Sequence, residues 1–484
     1  MQANIWSRTS WFSKALVALT ALGAATAGAA TVEPELAARV ARDRANLRFP
    51  VLMHLARQAE PAELSARVQS LPAGQRGGRL VEALKVFNAP LQAPVLQELR
   101  HRQAQDITAL VTVNAIAAQV TAADLRELAK RQDIANIRYD LGLLAPSRRL
   151  MADPCKPARP TPRQRLPKSC RTDARTVPPA QGAAFDPAVA PSPVMAGLGV
   201  ADAWRAGHTG RGVTVALVDT GVDGAHPDLA GSFRGGPADW FDVHGQHAAP
   251  VDRHGHGTQI AGLVVGRGAS GQTLGVAPEA NWIAARIYND ANLGRLSHLH
   301  RIMAWLLDPD GRPDTADAPA IVLNAWGLGD RPGVCDEEFS RDLLWLRAAG
   351  MHVVFAAGNG GALEQSSLSP GNNPGALAVG ALDSAGRPAL FSGRGVSACD
   401  ARPYPDLMAP GELLRTTDRS IAGQPITTLA TGTSYAAATV AGQLALLVQA
   451  RPGHSPSERE GILRPVAGDK YPLLRALGVA ASQP

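Results

Sequence analysis

Four residues in this sequence have the types and settings that acyl chemistry needs. Ser434 sits in "TLATGTSYAAATVAGQLALLVQA", at the mouth of a small-residue, apolar helix. A serine there serves as an N-cap or as a nucleophile placed against the positive end of the helix. His256 lies in "DRHGHGTQIAGLVVG", at the start of a second small apolar helix. A histidine held on one ring nitrogen by a carboxylate keeps the other free as a general base near neutral pH. Asp219 ends the apolar run "VALVD" and is followed by Thr220 and Gly221. Asn359 follows "HVVFAAG", where a side-chain amide can donate to a developing oxyanion or simply make a turn. Two other readings remain. Asp-Thr-Gly is also the aspartic-protease triplet, but that chemistry needs a second copy, and "LDSAG" at 382–386 does not keep the spacing. His244, His247, His254 and His256 lie close in sequence, but no further Cys or carboxylate set accompanies them as metal ligands would require.

These residues need rigid strand ends and helix starts. From about residue 195 the runs "GVTVALVD", "NWIAARIY", "AIVLNAW", "HVVFAAGN" and "ALAVGAL" are continuously apolar and bounded by Gly, Asp or Asn. Such runs suit strands buried on both faces of a parallel sheet. Helical segments between them predict an α/β, doubly wound, mostly parallel sheet, with chemistry at the carboxyl ends of strands. Residues 31–140 read as a smaller α/β unit. "VLMHLA" and "ANIRYD" are strands, "PAELSARVQSL" is helical, and "ITALVTVNAIAAQV" is two apolar runs around Asn114. Thr121 and Asp124 resemble a capping box, with Leu125, Leu128 and Ala129 on one helix face.

The order Asp219, His256, Asn359, Ser434 is the subtilisin order rather than the chymotrypsin or α/β-hydrolase order. "DTGVDGAHPDL", "HGHGTQIAG", "AAGN" and "GTSYAAATVAG" resemble the four signature blocks of subtilisin-like serine proteases (peptidase S8), and "FSGRG" and "LMAPG" resemble framework motifs of that family. The resemblance covers about residues 195–450. It implies a triad of Asp219, His256 and Ser434, an oxyanion hole from Asn359 and the Ser434 backbone N–H, and peptide binding along Ala325, Trp326 and Gly327. Residues 51–140 resemble the family's inhibitory propeptide, a small α+β domain that blocks the cleft. The tail after "ANIRYD" would then lie in the cleft like substrate, with first cleavage inside "LGLLAPSRRL". Three departures stand out: Ala438 and Thr439 replace Pro and His, Ala325 replaces Ser, and Gln259 replaces a second histidine. The implied chemistry needs no cofactor. Calcium is common in the family, but no ligand set is legible here.

Composition limits the alternatives. The chain has 484 residues, 45% hydrophobic and 19% charged, enough for a large core and more than one domain. Arg8 and Lys14 precede "ALVALTALGAATAGAA", which ends in an A-x-A pattern; residues 1–29 read as a secretory signal peptide, and no later run is long enough to span a bilayer. Export makes Cys155, Cys170, Cys335 and Cys399 disulfide candidates; three pairings are open, with Cys155–Cys170 and Cys335–Cys399 the local one. Residues 141–194 lose apolar periodicity and gain Pro and Arg, as an exposed linker does. The expected organisation is therefore signal (1–29), inhibitor domain (30–140), linker (141–194) and catalytic domain (195–484). The product would be a secreted, extracellular or periplasmic, monomeric endopeptidase acting on proteins or peptides, with its own propeptide as inhibitor. A net charge of +6 and the basic linker are the whole case for nucleic-acid binding, and no aromatics are interleaved with the charge. A scaffold that has lost catalysis is the remaining class; the presence of all four residues argues against it.

Overall fold

The computed structural model describes residues 29–43, 47–146, 184–329, 331–361, 365–421, 423–464 and 472–481. Residues 1–28 of the expected signal peptide, residues 147–183 of the linker and with them the Cys155–Cys170 pair lie outside the described residues. Contacts divide the chain into two units: Met1–Gln58 with Asn88–Leu110 and Asn114–Asp140, and Ala59–Phe87 with Val111–Val113 and Leu141–Pro484.

The smaller unit is built on a five-stranded sheet. Its order is Thr31–Val32, Ile134–Tyr139, Arg48–Leu55, Ala115–Thr121, Gln105–Leu110. Thr31–Val32 pairs parallel and the rest antiparallel. Leu36, Val51, Met53, Ile116, Val120, Leu125 and Ile137 form its core. Helix Ala122–Leu128 starts with a full capping box: Asp124 N donates to Thr121 Oγ1 and Thr121 N to Asp124 Oδ2, both at 3.2 Å.

The larger unit holds a seven-stranded sheet, parallel throughout. Its order is Leu407–Pro410, Leu377–Leu382, His352–Ala356, Ile321–Asn324, Thr214–Asp219, Asn281–Arg286, Trp240–Asp242. All five expected strands are present, joined by two edge strands that the apolar pattern did not reveal. On one side of Thr214–Asp219 the chain goes first to the edge strand Trp240–Asp242 and then back to Asn281–Arg286; on the other it winds outward from Ile321–Asn324, which pairs with Thr214–Asp219. Strand order therefore reverses between these neighbours, and their carboxyl ends open a crevice. Helix Thr433–Ala450 is buried through Leu447; Ala436, Ala437, Ala441, Leu444 and Ala445 join the strand residues Leu217, Leu323, Val354 and Val379 in one core. Cys335 and Cys399 form a disulfide across a separation of 64 residues.

The sequence reading gave no helix over 73–101, yet Ala73–His101 is one helix with Pro90 and Pro94 inside it. Its glycines are required by approach: a Cβ on Gly77 would lie 2.1 Å from Leu307 O, and one on Gly78 2.6 Å from Pro313 Cα.

Candidate active site

Strand Thr214–Asp219 delivers a carboxylate to the crevice, and helix His256–Val265 begins on the imidazole that meets it. His256 Nδ1 is 2.8 Å from Asp219 Oδ1 and 2.9 Å from Oδ2. A carboxylate only accepts, so Nδ1 carries the hydrogen and Nε2 is the basic nitrogen. Asp219 also accepts from Thr220 N at 2.7 Å. The backbone makes room for this closeness. Gly221 has φ +105°, a Cβ there would lie 2.0 Å from Val251 O, and one on Gly257 would lie 2.0 Å from Gly221 O. Burial opposes charge on His256, but the Asp219 carboxylate, by charge and by hydrogen bond, and then Asp252 outweigh it. The imidazole therefore titrates above its ordinary range.

Asp252 escaped the sequence reading. It is buried and accepts from His254 N, Gly255 N, Thr258 N, Thr258 Oγ1 and Thr220 Oγ1, the last at 3.1 Å. Thr220 Oγ1 accepts in turn from Gly257 N at 2.9 Å. One carboxylate thus fixes the turn that launches the histidine helix. The signal was in the sequence, since "DRHGHGT" places an acid ahead of a helix start, where orphan N–H groups collect.

Ser434 is the second residue of helix Thr433–Ala450 and not its cap; the N-cap is Gly432. Its hydroxyl donates to Ala325 O at 3.2 Å. Among the described residues no hydrogen bond joins Ser434 to His256, although the His256 ring lies 5.7 Å from that of Tyr435. Nucleophile–base contacts are often loose without substrate. Asn359 Oδ1 accepts from Thr433 N at 2.9 Å and from Thr433 Oγ1 at 3.0 Å. With its oxygen engaged, the amide N–H groups are the end left for a ligand. Thr433, also missed, orients this amide, and its hydroxyl accepts from Gly358 N at 3.1 Å.

Ala325, Trp326 and Gly327 continue from strand Ile321–Asn324 and line a cleft of about 680 Å³ together with Tyr288, Leu368, Asn359 and Ser434. The Trp326 ring packs edge-on against Phe339 and Phe355, so its backbone is what a ligand would meet. Residues Leu141–Pro146 lie along the same cleft. Gly142–Leu144 pairs antiparallel with Leu293–Arg295, and Ala145 N donates to Asn292 O at 3.1 Å. The pairing edge Leu293–Arg295 was not legible as a strand. At the departures from the family pattern, Gln259 Oε1 accepts from Tyr435 OH at 2.7 Å, and Thr439 Oγ1 donates to Ala436 O within its own helix. The alternative histidine cluster disperses: His247 goes to Asp290 and His244 to Ile287 O.

Residues 210–479 match the model of the Subtilase family. The chain is 35% identical over 287 residues to Bacillopeptidase F of Bacillus subtilis (strain 168), covering 55% of this chain and 19% of that one. It is 35% identical over 282 residues to Serine protease AprX of the same organism, covering 53% and 61%. Against the Major intracellular serine protease of that organism it is 31% identical over 250 residues, covering 50% and 70%. The chain thus spans less than two thirds of the length of the first two relatives.

Proposed function

The chain belongs to the subtilase family, and from that premise we propose that it is a serine endopeptidase acting through an acyl-enzyme intermediate. The contact of His256 Nδ1 with both oxygens of Asp219 carries this reading. It leaves Nε2 as a base at the crevice where Ser434 lies. Ser434 Oγ attacks the peptide carbonyl and His256 takes its proton, later giving it to the leaving amine. Asp219 holds the tautomer and stabilises the imidazolium. Asn359 Nδ2 and the Ser434 backbone N–H receive the oxyanion. Substrate lies extended between Ala325–Gly327 and Leu293–Arg295, bound through its main chain.

The protein is made as an exported, self-inhibited precursor: signal 1–29, inhibitor domain 30–140, linker 141–194, catalytic domain 195–484. Support comes from Leu141–Pro146, which pairs with the cleft edge as an extended substrate would. First cleavage falls in "LGLLAPSRRL", and the Pro- and Arg-rich linker is trimmed next. The substrates are proteins or peptides, the active species is a monomer, and the chemistry needs no metal.

Ser434→Ala tests both claims. In a protease-deficient host this variant should accumulate uncut except for the signal, while the parent yields a chain beginning between 141 and 195. Casein hydrolysis by the variant refutes the triad; normal processing of it refutes self-cleavage. The isolated 31–145 segment should inhibit the mature enzyme when added in trans, and absence of inhibition removes the propeptide reading.

A further inference from the structure

Two neighbouring strands of the large sheet, Ile321–Asn324 and His352–Ala356, end beside the reaction centre. The first runs on through Ala325, whose carbonyl takes the Ser434 hydroxyl, to Gly327. The second runs on through Ala357 to Gly358 and Asn359. Gly327 and Gly358 both line the cleft, and one atom meets them both. A Cβ on Gly327 would lie 2.6 Å from Leu368 Cδ2, and one on Gly358 would lie 3.1 Å from the same methyl. We propose that Leu368 closes the slot that receives the side chain next to the attacked carbonyl, so that the protein cleaves after small residues such as Ala and Ser and not after Phe. This inference rests on the peptidase reading and narrows it to a substrate class.

The slot is placed by the chemistry. The attacked carbonyl must come within reach of both Ser434 Oγ and the Asn359 amide. Ser434 is bonded to the first strand continuation, and Asn359 belongs to the second. The residue carrying that carbonyl therefore sits over the gap between the two. In an extended chain successive side chains point to opposite sides, so this side chain enters the gap while its neighbours point away. The glycines strip both walls of side chains, and the gap would take a large ring if nothing stood behind them. Leu368 stands there. It is only half-buried, and it lines the cleft. A leucine serving the core alone would be sealed from it.

Leu368 is held where it is. Ser367 and Ser369 on either side are buried. Gly333 N donates to Ser367 O and Leu328 N to Ser369 O, both at 2.8 Å. Ser369 Oγ donates to Asn372 Oδ1 at 2.7 Å and accepts from Asp336 N at 2.9 Å, while Ala398 N donates to Ser367 Oγ at 3.1 Å. The Cys335–Cys399 disulfide closes the same network. Moving the backbone of Leu368 aside for a large side chain would leave several of these buried groups unpaired, which is costly. The segment already lying along the cleft agrees with a shallow slot. Beyond its paired residues Gly142–Leu144 it brings only Ala145 and Pro146 to the cleft, both with short side chains.

The test compares two peptide p-nitroanilides that differ only in the residue before the scissile bond, Ala or Phe. The enzyme is the mature species released by the parent chain and by chains carrying Leu368→Ala or Leu368→Gly. The parent should prefer the Ala peptide by at least about tenfold in kcat/KM, and each variant should shift the Phe-to-Ala ratio at least about tenfold towards Phe, since one methylene in a pocket is worth about 10–200-fold. Thermal melting shows whether a variant has folded; if neither has, the parent's own ratio decides. A parent that cleaves the Phe peptide as well as the Ala peptide, or a folded variant whose ratio stays in place, overturns the assignment of Leu368 and leaves the peptidase reading standing. A parent that cleaves neither peptide and takes no fluorophosphonate label at Ser434 overturns the peptidase reading, and this inference with it.

Discussion

Replacing Asp219 by Asn keeps the shape of the triad and removes its charge. In the parent, two carboxylate oxygens at 2.8 and 2.9 Å compel Nδ1 to carry the hydrogen. An Asn amide can turn its NH₂ to the ring instead, which puts the hydrogen on Nε2 and leaves no base towards Ser434. The imidazolium formed during attack also loses its counter-charge inside a buried site. An Asp-to-Asn change at such a position lowers turnover by about 10⁴, or about 5 kcal/mol of barrier. A second effect is separable by pH. Asp219 is what overcomes burial to hold the His256 pKa up. Activity requires neutral His256, so the acidic limb of kcat/KM follows that pKa. Without the carboxylate, burial acts with less opposition and the limb moves to lower pH. The assay is kcat/KM for a chromogenic peptide across pH 5–9, an interval set by the ordinary histidine range. Turnover within tenfold of the parent, or an acidic limb that stays in place, refutes the reasoning.

Asn359→Ala should lower kcat by about 10²–10³ and leave KM nearly unchanged, because the amide acts on the transition state; equal turnover in steady-state assays makes Asn359 a turn residue only. Tyr435→Phe removes the bond to Gln259 that ties the serine helix to the histidine helix; kcat should fall by less than tenfold with the fold retained, about the value of one neutral hydrogen bond. His300 is buried between Asp342 and Glu338. Burial opposes its charge, but the two carboxylates outweigh it and its pKa is pushed up to about 10. Since the folded pKa is raised, this stabilisation is complete below the ordinary histidine pKa and is lost as pH rises through about 10. His300→Leu strands two buried carboxylates and should cost about 3–5 kcal/mol in urea unfolding near neutral pH. Opening the Cys335–Cys399 loop with paired Ser substitutions should lower stability by about 4 kcal/mol, from a 64-residue separation.

What the sequence disclosed follows from how strongly each feature is written in local chemistry. The central strands could be read because strands buried on both faces must be apolar at every position. The edge strand Trp240–Asp242, and Leu293–Arg295 of the separate two-stranded pairing, are short and partly exposed, so they leave no such run. Helix Ala73–His101 was hidden by Gly74, Gly77, Gly78, Pro90 and Pro94, residues that argue against a helix unless a neighbour needs the space. The four candidate active-site residues were visible because each sits at an element boundary with recognisable flanks. Asp252 and Thr433 were passed over: the acid of "DRHGHGT" stood visibly ahead of a helix start, but which N–H groups it holds, and which side chain Thr433 orients, only the folded chain specifies.

Under the precursor reading proposed above, the pairing of Gly142–Leu144 with Leu293–Arg295 has a kinetic consequence. While the peptide bonds on both sides are intact, the segment faces its groove at a local concentration in the millimolar range, set by the tether. Cutting one bond does not weaken a single contact, but it lets the segment leave and compete at its bulk concentration. Release is then governed by dilution. In a crowded compartment the severed segment rebinds and activity lags behind cleavage. If the protein is exported as proposed, the same cut in a large volume gives a free cleft, so the lag between cleavage and activity should shorten as total protein is lowered.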